Sequence, residues 1–211
     1  MKGICFIEPL HNKTVQKIKT QTRRIIVSRT GFFNVTSKNG VVTGVWQCDA
    51  DGWSGEDLIP VNPRYQTGDI LYLKEPYHEF DDGAYLYKYG KEEWLTDDES
   101  RRVKESITEL KGWKNKLFMP ESAARHFIKI TDVRCEKLQE VSNSDCLKEG
   151  VFKHISHARI YWKNGFDGLM YNTQRHAYKA LIDKISKDAW DDNPYVWVYS
   201  YKLVNRKGVR L

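Results

Sequence analysis

The chain has no CxxC pair, and its four cysteines (Cys5, Cys48, Cys135 and Cys146) lie far apart. A disulfide scaffold and a zinc knuckle are both poor fits, and reduced thiols are expected. Long apolar runs are missing too, so no membrane-spanning segment is expected. The opening MKGICFIEPL turns polar too soon for a secretory leader. Together these features predict a cytoplasmic protein without a membrane partner. The sequons at Asn12 and Asn34 then carry no meaning. There are no internal repeats or low-complexity tracts. His154 and His157 lack a third ligand nearby in sequence, so neither a metal nor any other cofactor is expected.

The most local absence is that of acid. From Pro9 to Cys48 there is no Asp or Glu, yet Lys13, Lys17, Lys19, Arg23, Arg24, Arg29 and Lys38 fall there. The densest part is Lys17-Ile18-Lys19-Thr20-Gln21-Thr22-Arg23-Arg24. Solvated segments usually interleave both signs. A one-signed block points to an anion, either a partner or buried carboxylates from elsewhere in the chain. Over all 211 residues, 34 Lys and Arg face 28 acids, a net charge of +6. This permits nucleic-acid binding without demanding it. Aromatics are abundant, with seven Trp and twelve Tyr. They suit core packing and base stacking alike.

The length fits one large domain or one domain with insertions. Gly3 to Ile7 reads as a buried strand ended by Glu8-Pro9. A short helix is expected over about 13–19, capped by Asn12 or Thr14. TRRIIV (22–27) reads as a strand, which places the basic block at a helix-to-strand junction. Asn39-Gly40 signals a hairpin between FFNVTS and VVTGVW, and residues 49–55 read as a loop. A turn at 65–69 precedes a strand over 70–73, which Lys74-Glu75-Pro76-Tyr77 ends with polar groups. Tyr85 to Tyr89 suits a further strand. Residues 96–111 read as a solvated helix or mobile insertion. Trp113 to Arg125 reads as a loop with one helical turn, followed by a strand over 127–133. Ser142 to Asp145 forms a capping-box pattern for a short helix that Gly150 closes. Residues 153–172 are expected to be irregular. Thr173 to Lys187 suits an amphipathic helix with Ala177, Leu181 and Ile185 inward, and Tyr195 to Val204 the last strand. Short strands with a few helices predict an α+β fold built on a small, partly open β-barrel.

KTQTRR, TGDILYLKEPY, RHFIKITDVRCEKLQEVSNSDCLKEG and NPYVWVYSYKL, in that order, resemble the ASCH domain, a PUA-like family, in its phage and bacterial form. The resemblance covers most of the chain. It implies one PUA-like domain over 1–211, a small β-barrel with flanking helices and insertions at about 31–64 and 78–112. It also implies an RNA- or nucleotide-sized basic cleft. Small members of the family that hydrolyse N4-acylcytidine use a Lys, a Thr and a Glu, which match Lys19, Thr22 and Glu149 here. The resemblance therefore implies an RNA, nucleoside or nucleotide ligand. It leaves open a ribonuclease or RNA-processing enzyme, and a non-catalytic phage or mobile-element accessory protein that binds another protein.

The chemistry also stands on the residues. Amide hydrolysis needs a nucleophile, a base and an acid for the leaving amine. Thr22 supplies a hydroxyl that attacks or positions water. Lys19 works as a base once burial and neighbouring cations favour the neutral amine. Glu149 is placed to pass a proton to the leaving group. Arg23, Arg24, Glu75, Tyr77 and Arg125 are the candidate substrate or nucleic-acid contacts, with Glu75 able to accept from an exocyclic amine. Structural roles suit the same residues. Lys19 and Glu149 would make a buried ion pair, Thr22 an ordinary strand residue, and Glu75 a salt bridge to Arg125. Arg23 and Arg24 would hold phosphate or neighbouring carboxylates. Trp46, Trp53 and Trp113 stack on bases or pack in a core or lid.

Overall fold

The computed structural model describes residues 1–27, 33–38, 41–47, 59–90, 96–109 and 112–209. In chain order its elements are β1 (Lys2–Cys5), α1 (Glu8–Val15), β2 (Gln21–Ile25), β3 (Phe33–Lys38), β4 (Val41–Gln47), β5 (Ile59–Pro60), β6 (Ile70–Lys74), β7 (Tyr77–Glu79) and β8 (Tyr85–Tyr87). They continue with α2 (Asp97–Glu109), β9 (Phe127–Lys137), α3 (Asn143–Lys148), β10 (Phe152–Ser156), β11 (Arg159–Lys163), α4 (Gln174–Ile185), α5 (Ala189–Asp192) and β12 (Tyr195–Val204). The architecture is mixed α+β with several sheets, and no closed barrel is present among the described residues. The expected Asn39-Gly40 turn and 49–55 loop, like Cys48 and Trp53, lie outside the described residues.

The chain divides into two compact units, each assembled from separated segments. The first comprises residues 1–19, 70–129 and 202–211. In it β1 runs parallel to β6, Lys2 to Cys5 opposite Leu71 to Lys74. The start of β9 pairs antiparallel on β6, with Tyr72 opposite Phe127. Leu71, Leu73 and Ile128 are fully buried on one face, and Tyr72 and Phe127 are buried on the other, so the strands are covered on both sides. Tyr72, Phe127 and Val204 form one apolar cluster, and Tyr77, Met119 and Ala123 another.

Helix α1 begins five residues earlier than expected. Pro9 sits in its first turn, where its missing N–H costs nothing, and Glu8 complements the positive helix end. Proline here starts the helix rather than merely ending the strand. The helix stops when Lys17 turns left-handed, with φ of 63°. Trp113 to Arg125 holds two single 3₁₀ turns, Lys116–Phe118 and Glu121–Ala123.

The second unit comprises residues 20–69 and 130–201. Its strand order is β9-β12-β2. β12 and β2 are antiparallel, with Tyr199 opposite Thr22 and Val198 opposite Arg23. β3, β4 and β5 form a separate antiparallel sheet whose Val45 packs with Ile26 and Cys135. Helix α3 is capped as expected, the Asp145 N–H donating to Ser142 Oγ at 3.1 Å. Gly150, at φ of 102°, follows it in the conformation that only glycine adopts freely.

Residues 153–172 depart from expectation, because β10 and β11 form a regular hairpin there. Its two-residue turn, His157-Ala158, has positive φ at both positions (49° and 59°) but lacks the Asn-Gly chemistry that announces such a turn. Helix α4 buries Ala177, Tyr178 and Leu181, whereas Ile185 is 51% exposed rather than inward. A residue at the C-terminal end of a helix can satisfy the 3.6-residue period yet overhang its packing partner.

Candidate functional site

Strand alternation decides the fate of the basic block in the second unit. On β2, Gln21 and Arg23 point to one buried side, while Arg24 is exposed. Arg23 donates Nε to Glu136 Oε1 at 3.1 Å, and Nη1 to Gln21 Oε1 at 2.9 Å and Glu149 Oε1 at 3.0 Å. Nη2 reaches Glu136 and Asp145. Arg134 backs the same carboxylates, donating to Glu136 Oε2 and Asp145 Oδ2. Burial opposes the Arg23 charge, but Glu149, Tyr178 and Glu136 outweigh it and hold the guanidinium protonated above its usual range. Asp145 is partly buried, which opposes its charge, yet Lys148, Arg134 and Arg23 hold its carboxyl below the usual range. Arg23 is thus engaged by internal carboxylates, the second of the two explanations that a one-signed block allows.

Glu149 ends α3 and is 4% exposed. Near it, α4 places Tyr178, fully buried, with the Arg23 guanidinium 5.8 Å from its ring centroid. The Tyr178 hydroxyl has no hydrogen-bond partner, and burial and Glu149 raise its pKa well above the ordinary phenol value. Burial also pushes the Cys146 thiol up to about 11, which makes it a poor nucleophile. Thr22 is 5% exposed. A groove of about 370 Å³ lies along Arg134, Cys135, Glu136 and Glu140, with Val35, Val42 and Tyr195 on its apolar side.

The first unit holds a second buried polar cluster. Glu75, fully buried at the end of β6, takes a bidentate pair from Arg125 Nε and Nη2, both at 2.9 Å. Arg125 Nη2 also donates to the Tyr89 carbonyl, and the guanidinium stacks 4.2 Å from the Tyr87 ring centroid. His11, from α1, is 1% exposed. Its Nε2 has no hydrogen bond and lies 3.7 Å from Glu75 Oε1. Burial, and then His126, push its pKa down to about 3, so it is neutral. Burial, and then Arg125, push His126 to about 4. Tyr89 is raised to about 12 by burial, Glu8 and Glu75.

Lys19 is 1% exposed, with its ammonium 5.6 Å from the Phe6 ring centroid. Lys13 is pushed down to about 8 by burial and by the charge of Lys19. Tyr77 is a core residue, packed with Met119 and Ala123. Trp113 is half-buried and donates Nε1 to Thr108. Among the described residues, no three His, Cys, Asp or Glu side chains are placed to hold a metal ion.

Of the residues singled out from sequence, the structure brings Arg23 together with Glu149, and Glu75 with Arg125. Lys19 belongs to the first unit, Thr22 and Glu149 to the second. Sequence reasoning missed Glu136, Asp145 and Tyr178 around Arg23, and His11 and His126 beside Glu75. The acid-free block was the available signal for the carboxylates. For His11 the signal was a histidine between Leu10 and the Thr14–Val15 pair on a short helix, which is weak.

Buried His11 and half-buried His126 make an acid-sensitivity prediction. Their folded pKa values lie below the unfolded 6.5, so their contribution is fully present above that pH and is lost as pH falls. Between pH 6.5 and about 4, each is expected to cost about 1.4 kcal/mol of stability per pH unit. Urea midpoints at pH 7 and pH 5 measure this. A midpoint unchanged between them contradicts the neutral assignment.

No family model, curated protein or solved structure matches the chain. No helix among the described residues is long and apolar enough to cross a membrane.

Proposed function

We propose that the chain is an RNA- or nucleotide-binding protein of the ASCH, PUA-like type that hydrolyses an N4-acylated cytidine through Lys19, Thr22 and Glu149. The observation that carries this reading is burial. Lys19, Thr22 and Glu149 are 1%, 5% and 4% exposed. Glu149 is paired there with Arg23, and burial disfavours the charged form of a lysine, as a lysine base requires.

In this mechanism the neutral Lys19 amine takes the Thr22 hydroxyl proton as Oγ1 attacks the acyl carbon. The bond from that carbon to the exocyclic nitrogen breaks, and the nitrogen receives a proton relayed through Glu149. Water then cleaves the acyl-threonine ester, releasing the carboxylic acid and restoring the hydroxyl. Arg23, through its 3.0 Å bond, fixes the Glu149 carboxylate. Thr22→Ala is expected to lower turnover of N4-acetylcytidine at least about 100-fold, with Thr22→Ser keeping measurable activity. Liquid chromatography of cytidine release checks this. Thr22→Ala at the wild-type rate would remove Thr22 from the mechanism.

A further inference from the structure

From Gly150 to Phe166 the chain again has no acid, but carries Lys153, Arg159, Lys163, His154 and His157. This second one-signed stretch differs from the first, where Arg23 is surrounded by carboxylates. Among the described residues, Lys153, Arg159 and Lys163 form no ion pair, and Lys153 and Arg159 are exposed. The stretch folds as the β10–β11 hairpin, whose register sets its two faces. Ile155 stands opposite Ile160, and Lys153 opposite Trp162, on one face. The isoleucines are 65% and 54% exposed. Trp162 exchanges backbone hydrogen bonds with Tyr171 at 2.8 and 2.9 Å, which widens the hairpin beyond β11. Leu169 and Met170, just before that rung, are 58% and 48% exposed.

A surface with this much apolar side chain and no acid is poorly suited to water alone. Unpaired cations beside it call for an anionic partner that also presents apolar faces. Unstacked nucleobases with their phosphates meet both needs. We propose that the β10–β11 hairpin is a binding surface for single-stranded RNA, with Ile155, Ile160 and Trp162 of one face against bases and Lys153 beside them on a phosphate, while Arg159, opposite Ser156 at the turn end of the other face, takes a phosphate where the strand passes the hairpin tip. The choice of RNA rests on the proposed function and extends it. The preferred substrate is then an acylated cytidine within a strand rather than the free nucleoside. The hairpin's charge complementarity to a polyanion stands without that reading.

The test is fluorescence anisotropy with a labelled 15-nucleotide single-stranded RNA across a salt series, using wild type, the double variant Lys153→Ala/Arg159→Ala, and Ile160→Ser. Wild-type affinity should fall with salt. The double variant should bind at least about 10-fold more weakly, with a log–log salt slope shallower by about 1.4, since each phosphate contact on a single strand contributes about 0.7. Ile160→Ser should weaken binding with its slope unchanged. All three positions are exposed, and circular dichroism verifies that each variant folds. Equal affinity and slope in wild type and double variant would overturn the proposal. So would a preference for duplex DNA, or binding to vesicles of phosphatidylserine and phosphatidylcholine without binding to RNA. Turnover of free N4-acetylcytidine should be unchanged in these variants. Loss of hairpin-dependent RNA binding and loss of nucleoside hydrolysis are thus read separately.

Discussion

Arg23→Met is expected to destabilise the protein by about 3–5 kcal/mol, the usual cost of removing one partner from a buried charge network. The cost comes from what stays behind. Glu149 loses its 3.0 Å donor while 4% exposed, Glu136 keeps Arg134, and Asp145 keeps Arg134 and Lys148. The cations left beside Glu136 and Asp145, Arg134 and Lys148, have side chains 34% and 50% exposed. Arg23→Lys should recover only part of the loss, because one ammonium cannot reproduce a fork that serves Gln21, Glu136, Asp145 and Glu149. Arg24→Met, at the next and exposed position, should cost under about 1 kcal/mol. Urea unfolding of the three variants measures the contrast. Equal midpoints for Arg23→Met and Arg24→Met would contradict it.

Glu75→Gln is the second large effect, with an expected loss of about 3 kcal/mol. The substitution is nearly isosteric, so packing around β6 is kept and the charge alone is removed. Glu75 is fully buried and takes both forked bonds of Arg125, whose side chain is only 23% exposed. Glutamine accepts one of those bonds and points an amide at the other donor. His11, neutral and lacking a hydrogen bond at Nε2, is too weak an acceptor to stand in. Thermal unfolding reads the loss. A variant as stable as wild type would mean that the Glu75–Arg125 pair exists for a ligand rather than for the fold.

The elements most legible in the sequence were those with local punctuation. The last strand, Tyr195 to Val204, was read at both ends because Asn193-Pro194 and a run of β-branched and aromatic residues mark it. The cap of α3 followed from Ser142, and β6 from the turn before it. Helix α1 was displaced because Pro9 acts as a starter in a first turn and as a breaker elsewhere, and sequence alone does not say which. The β10–β11 hairpin was missed because His157-Ala158 adopts a turn that those residues rarely make. The candidate site was half legible. The acid-free block told of anions, and the pairing of Glu75 with Arg125 was among the readings. Which carboxylates surround Arg23 depends on contacts more than a hundred residues apart in sequence, and no local pattern encodes those.

Burial of Lys19 is the centre of the functional account, and turnover tests it most directly. Wild type and Lys19→Met, a substitution that keeps side-chain length and removes the amine, are incubated with N4-acetylcytidine, and cytidine is quantified over time. The account predicts conversion by wild type and a loss of at least about 100-fold in the variant, whose unfolding midpoint shows it still folded. No conversion by wild type, or equal rates in the two proteins, would contradict it.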